Sequence, residues 1–182
     1  MFFVWIPAFA GMTEGGGVRE MGFRKGMMIS MGKLYENLYK LPRGESLVRK
    51  LARGIARMAF YSPGSIMKKR DSAIEIKDDL VRMCGMMDIA INVTKVEQDK
   101  FEFLVPVCPY LYQRRDQEGV CDAAMDMDRT LIRLGGGKLI IEESVTRGDP
   151  VCRVTVHKVS KERGAGGKEQ SAKSKGRKTS KK

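Results

Sequence analysis

The sequence predicts an α+β domain in which N-terminal helices and one long helix pack on an antiparallel sheet made of two β-hairpins. Three observations predict it: helical apolar spacing up to Cys84, a change to period-two alternation from Ile89, and one return to helical spacing between Glu118 and Leu134.

Glu45 to Phe60 reads as the first helix, with Leu47, Leu51, Ile55 and Met58 on one face and Arg49, Lys50, Arg53 and Arg57 on the other. Such a basic stripe contacts polyanions in some proteins and is a solvated face in most. Ser62-Pro63-Gly64 breaks this helix, and a second runs from about Ser72 to Cys84 and ends at Gly85. Ile89, Ile91 and Val93 then alternate, as do Phe101, Phe103 and Val105 beyond the polar turn 97–100, which describes a hairpin. The long helix carries Val120, Ala124, Met127, Leu131 and Leu134 as its core seam, with Asp122, Asp126, Arg129 and Arg133 turned outward to form weak surface pairs. Gly135, Gly136 and Gly137 end it, and strands Lys138–Val145 and Val151–His157 form the second hairpin around residues 146–150.

Charge divides the chain. Of the net +12 carried by 182 residues, +8 falls within the last 25, from Lys158 to Lys182, where no aromatic residue occurs. Residues 158–182 are therefore expected to be a disordered basic tail, capable of weak, salt-sensitive polyanion binding. Without an aromatic platform for bases, a solubilising role is the simpler expectation. No apolar run is long enough for a membrane-spanning helix. Met1–Thr13 is apolar and includes Ala8-Phe9-Ala10, but no basic residue precedes it and Pro7 interrupts it, so it makes a poor signal peptide and a cytoplasmic location is expected. Residues 1–31 resemble a translated bacterial intergenic repeat and are expected to be a disordered or spurious extension, with translation from Met28 or Met31 losing nothing of the domain. One domain is expected over residues 32–157.

The chemistry centres on Cys84, Cys108, Cys121 and Cys152, which include no CxxC pair. In a reducing compartment disulfides are a poor default, leaving metal binding, catalysis or plain burial. Cys84 beside Met83, Met86 and Met87 reads as a small buried hydrophobe. Cys108, Cys121 and Cys152 are the candidate metal ligands, and thiolates favour zinc or another soft metal such as iron. Three separate core positions are the competing reading, since spacing alone does not show convergence. His157 is a weak fourth ligand because it lies on the opposite strand face from Cys152. Asp128 flanks the apolar seam of the long helix, where contact with ligand, pairing with Arg153 and simple solvation are alternatives, solvation being the first expectation.

The strings Cys108-Pro109-Tyr110, Cys121 opening a helix, Ile141-Glu142-Glu143-Ser144 and Gly148-Asp149-Pro150-Val151-Cys152 together resemble the 4-vinyl reductase-like superfamily, over about Phe101–Val156. That group includes methanogen output domains and L-2-amino-thiazoline-4-carboxylic acid hydrolase-like proteins. The resemblance implies an α+β ligand-binding fold, often a homodimer, with Cys108, Cys121 and Cys152 near a small-molecule or metal site and Gly148 and Asp149 shaping the turn before Cys152. The chain departs from metal-binding members in lacking a second cysteine close to Cys108.

Three functions follow as expectations. The first is a sensor-like domain binding a small molecule or metal at a cysteine-lined site. A hydrolase is the second, with Cys108 as candidate nucleophile and Asp128 or Glu142 as proton shuttles. The third is a nucleic-acid accessory protein acting through its basic tail.

Overall fold

The computed structural model describes residues 18–159, with side chains from residue 26 onward. Five helices and four strands follow in the order α1 (Val18–Tyr39), α2 (Gly44–Tyr61), α3 (Ala73–Met86), β1 (Asn92–Val96), β2 (Lys100–Val105), α4 (Glu118–Ala124), α5 (Asp126–Gly135), β3 (Gly137–Glu143) and β4 (Cys152–Lys158). The architecture is α+β, with helices packed on one antiparallel sheet.

Both hairpins form, but β1 begins at Asn92, beyond the expected Ile89–Ile91 stretch, and is exposed along its whole length, so only β2, β3 and β4 contribute a covered face. The sheet order is β1-β2-β4-β3, so β4 joins the two halves by pairing with β2, Phe101 opposite Val156 and Phe103 opposite Val154. Those four side chains point to the same covered face and meet Ile76 and Leu80 of α3 in an apolar core. Ser72 caps α3, its hydroxyl accepting from the Glu75 amide at 3.2 Å. Gly136 ends α5 at φ 97°, a left-handed position that suits glycine.

The helical half departs from the sequence reading in three respects. First, α2 turns its large aliphatics outward: Leu47, Leu51 and Met58 are exposed, while Gly44, Val48, Ala52 and Ala56 are buried. Small residues let this helix lie close against α4 and α5, and the core follows the side chains that permit that approach. Second, the helix expected over Glu118–Leu134 is divided at Met125 into α4 and α5. Third, residues before Gly32, expected to be an extension, take part in the core. Met28 is 3 % exposed, Met31 packs against the same core, and the buried Tyr112 hydroxyl donates to the Gly32 carbonyl at 2.6 Å. The domain therefore begins inside α1, and translation from Met31 would remove a core residue.

Residues 1–17 and 160–182, which hold the apolar N-terminus and nearly all of the basic tail, lie outside the described residues. Lys158, however, belongs to β4, and its ammonium donates to the carbonyls of Arg70 (2.6 Å) and Gly136 (3.3 Å). No helix among the described residues is long and apolar enough to cross a membrane.

Candidate functional site

Cys108 lies in the turn after β2, Cys121 in the first turns of α4 and Cys152 at the start of β4. The sheet order brings these places together, because β4 pairs antiparallel to β2 and Cys152 stands opposite Val105, where β2 runs out toward Cys108. The three thiols lie within electrostatic reach of one another: charge on Cys152 raises the Cys108 pKa, and charges on Cys108 and Cys152 both raise that of Cys121. All three are half-buried.

Their surroundings differ. Burial pushes the Cys108 thiol up first, but the amides of Tyr110, Tyr112 and Leu111 hydrogen-bond the sulfur and pull it back down. The Cys108-Pro109-Tyr110-Leu111-Tyr112 turn achieves this by wrapping its backbone around the side chain, with Leu111 in the left-handed region at φ 60°. Cys121 is pushed up to about 11, by burial above all, against a hydrogen bond from Thr146. Thr146 is itself buried and shares a 2.9 Å hydroxyl–hydroxyl hydrogen bond with Ser144, so a polar chain runs Ser144–Thr146–Cys121. The loop carrying that chain is braced by Asp149, whose carboxylate accepts from the Ser144 amide at 2.7 Å, and turns at Gly148 with φ 102°.

Cys121, Ser144 and Thr146 line a cleft of about 460 Å³ whose rim includes Lys138 and Arg147. The volume suits a small molecule. Among the described residues, no group of three or more His, Cys, Asp or Glu side chains is arranged to hold a metal ion. The thiols are neighbours, therefore, without forming a ready-made coordination shell. For Cys108 and Cys121, burial also favours the protonated thiol over the charged form that ligation requires.

His157 is distant from this place, paired with Lys100 and Lys138 at the opposite end of β4 from Cys152. Glu142 is exposed and does not line the cleft. Cys84 is 7 % exposed within the sheet-side core, its thiol pushed up to about 12 by burial.

Asp128 corrects the sequence reading most sharply. The residue is half-buried rather than simply solvated, and burial raises its carboxyl pKa to about 6, with Arg129 offsetting part of the shift. Arg153 engages Glu143 at 3.2 Å and Glu102 at 4.0 Å instead of Asp128. The charge of Asp128 is felt by Tyr35, Tyr110 and Cys84, so this carboxyl belongs to a buried polar patch distinct from the cleft. In that patch the hydroxyls of Tyr35 and Tyr110 have no hydrogen-bond partner among the described residues. Neither tyrosine carries a sequence signal for this patch: Tyr35 lies on α1 and Tyr110 in the turn after β2, and only the fold brings their hydroxyls together.

Asp122 and Asp126 also depart from expectation. Asp126 is buried and binds Arg49 (3.2 Å), Arg53 (2.6 Å) and Arg129 (3.2 Å), while Asp122 binds Arg49 (2.6 Å) and Arg129 (2.5 Å). Two members of the basic stripe of α2 are thus spent on an internal ion network joining α2 to α4 and α5.

No protein-family model matches this chain, and no curated protein matches it. Among solved structures it is similar to trafficking protein particle complex subunit 3 from Naegleria fowleri, a structure covalently bound to palmitic acid. The identity is 13 %, over 78 % of this chain and 81 % of that one, with a TM-score of 0.35. A likeness of that degree assigns neither fold nor function.

Proposed function

We propose that this chain is a sensor-like domain that binds a small molecule in the cleft walled by Cys121, Ser144 and Thr146. The supporting observation is the buried hydroxyl chain Ser144–Thr146 that ends on the Cys121 sulfur at the cleft wall, with the thiols of Cys108 and Cys152 close behind it. Polar groups held in fixed orientation beside half-buried sulfur give a ligand both directional contacts and apolar, polarisable surface. The sequence resemblance to the 4-vinyl reductase-like superfamily supports the same reading.

A soft metal is the narrower form of this proposal. Zinc or iron would need the three thiols to lose their protons and draw together, and Cys108, with three amides on its sulfur, is the one whose anion the backbone already favours. A hydrolase with Cys108 as nucleophile finds less support here, because burial raises the Cys108 pKa, Glu142 is exposed outside the cleft and His157 lies at the far end of β4.

The test is elemental analysis and free-thiol titration on the full chain purified without a metal-affinity tag, followed by a small-molecule thermal-shift screen. Cys121→Ser is expected to abolish ligand-induced stabilisation, and Cys84→Ser to lower the melting temperature while leaving the ligand shift intact. Stoichiometric metal lost on replacing Cys108, Cys121 or Cys152 would establish the narrower form. Equal ligand shifts in all the cysteine variants would remove the cleft from consideration.

A further inference from the structure

A second cleft, of about 500 Å³, opens beneath the segment that joins α2 to α3. Its wall carries Lys68, Lys69, Arg70 and Arg82 against a single acid, Asp79. That acid is already spent. Its two carboxylate oxygens accept from the Arg70 guanidinium, each at 2.8 Å, and one also accepts from the Lys68 amide at 3.3 Å. Arg70 and Asp79 therefore cancel, and among the described residues the side chains of Lys68, Lys69 and Arg82 have neither an ion-pair nor a hydrogen-bond partner. Three uncompensated cations around one concavity repel one another, a cost that an anion between them would relieve.

The segment is also held in shape without that anion. Ser62 donates to the Ala59 carbonyl (2.9 Å) and Ser65 to the Met67 carbonyl (3.1 Å), while the Arg70 amide donates to Gly135 (2.9 Å). Met67 is 2 % exposed in the sheet-side core and pins the segment at its centre. These bonds fix the backbone from which Lys68 and Lys69 project, so little ordering would be lost on binding. The remaining wall includes Phe60 and Ile66, both half-buried, which leaves apolar surface next to the cations.

We propose that this cleft binds a phosphate monoester borne on an apolar group. The doubly charged phosphate offsets two of the three positive charges of Lys68, Lys69 and Arg82, and the apolar group lies against Phe60 and Ile66. Two sources share that chemistry, a soluble phosphate ester and the headgroup of phosphatidic acid.

The experiment uses the full chain, so that the basic C-terminal residues are present in every sample, and phenyl phosphate as the probe. Binding is followed by amide NMR shifts and by calorimetry for the unmodified protein, for the Lys69→Gln, Arg82→Gln double variant, and for a control in which Lys33→Gln removes one charge on α1, away from both clefts. The three substituted residues are exposed, and equal melting temperatures verify that no variant has unfolded. Phenyl phosphate is expected to shift the amides of residues 65–69, to bind at least tenfold more weakly to the double variant and to bind the control unchanged. Vesicles of phosphatidylcholine containing phosphatidic acid that displace the probe assign the lipid source, and vesicles that do not displace it assign the soluble ester. Equal affinity in all three proteins, or the absence of shifts at residues 65–69, overturns the proposal.

Discussion

The two halves of the core bury different chemistry. On the sheet side, α3 and the strands enclose Ile76, Leu80, Phe101, Phe103, Val154 and Val156, an interior of hydrocarbon with one buried thiol. On the helical side, α1, α2 and α4 enclose Val48, Ala52, Ala123 and Ala124 together with Tyr35, Tyr110 and Tyr112, bordered by Cys108 and Cys121. The first half is organised chiefly by apolar burial, with the buried Asp79 carboxylate of α3 fully paired by Arg70 and the Lys68 amide. In the second, buried hydroxyls, thiols and the Asp128 carboxyl carry a desolvation cost that packing must offset, and such a cost concentrates where a protein holds chemistry. The difference teaches where to cut: substitutions on the sheet side should read out as stability, and substitutions on the helical side as stability, pH response or binding according to which group is touched.

The largest effect is expected from Ile76→Ala. Ile76 is fully buried between α3 and the sheet, and its removal leaves a cavity with no polar group to attract water. A loss of about 3 kcal/mol in denaturant unfolding is expected. A loss below about 1 kcal/mol would mean that the two halves are not packed differently.

The next effect belongs to the joint between α2 and α5. Asp126→Asn removes the charge that three arginines share while nearly keeping the shape of the side chain. Arg49 and Arg129 retain Asp122, but Arg53 loses the carboxylate it holds at 2.6 Å. Because the Asp126 side chain is only 8 % exposed, the loss should be about 2 kcal/mol and should persist in high salt. An effect that vanishes with added salt would return this network to the surface role expected of it from sequence.

That expectation failed for a reason visible in particular residues. Helical spacing places Asp122, Asp126, Arg129 and Arg133 on one side of a helix, and on α2 it places Leu47, Leu51 and Met58 on one side. Spacing does not say which side another helix covers. Where helices approach closely, Ala52, Ala56 and Val48 fit and leucine does not, so α2 shows its larger residues to solvent and meets α5 with its smaller ones. Strands β2 and β4 were more legible because a two-residue period with aromatics and β-branched residues admits one covered face, whereas the alternation at Ile89, Ile91 and Val93 precedes a strand that is exposed throughout. Ser72 and Gly136 marked helix ends through capping chemistry that is local. For the cysteines, sequence gives the residue type and positions but not their approach, which the β2–β4 pairing produces, and the Ser144–Thr146 chain depends on a loop conformation that no periodicity encodes.

A smaller effect, with a sign that can be worked out, comes from Asp128. Its pKa is about 6 in the folded protein against an ordinary 3.8, so between these values the folded state binds more protons than the unfolded one. This group's contribution therefore favours folding below about pH 4, declines as pH rises toward 6 and is lost above it. The groups that face Asp128 are Arg129, which lowers its pKa, and the neutral Tyr35, Tyr110 and Cys84, whose own pKa values its charge raises. Asp128→Asn should accordingly be more stable than the parent at pH 7.5 and lose that advantage at pH 4. Melting temperatures of the two proteins across this range check it, and parallel curves would show that the carboxyl is solvated in the fold.

The smallest effect sharpens the comparison most. Tyr35 is fully buried with a hydroxyl that has no partner among the described residues, and burial pushes its pKa up to about 12. Tyr35→Phe removes a polar atom that contributes desolvation cost and no bond, so stability should stay level or rise by up to about 1 kcal/mol. The edge-on packing of its ring on Tyr110, at 6.0 Å between centroids, would be kept. Tyr112→Phe is the matching control: its hydroxyl donates to the Gly32 carbonyl at 2.6 Å, and its loss should cost about 1 kcal/mol. Opposite signs for two tyrosines on one side of the core would show that this region tolerates unpaired polarity at one place while relying on pairing at another. Equal losses would instead mean that the Tyr35 hydroxyl is bonded in solution, through water or through Asp128, and the helical side would then be as fully satisfied as the sheet side.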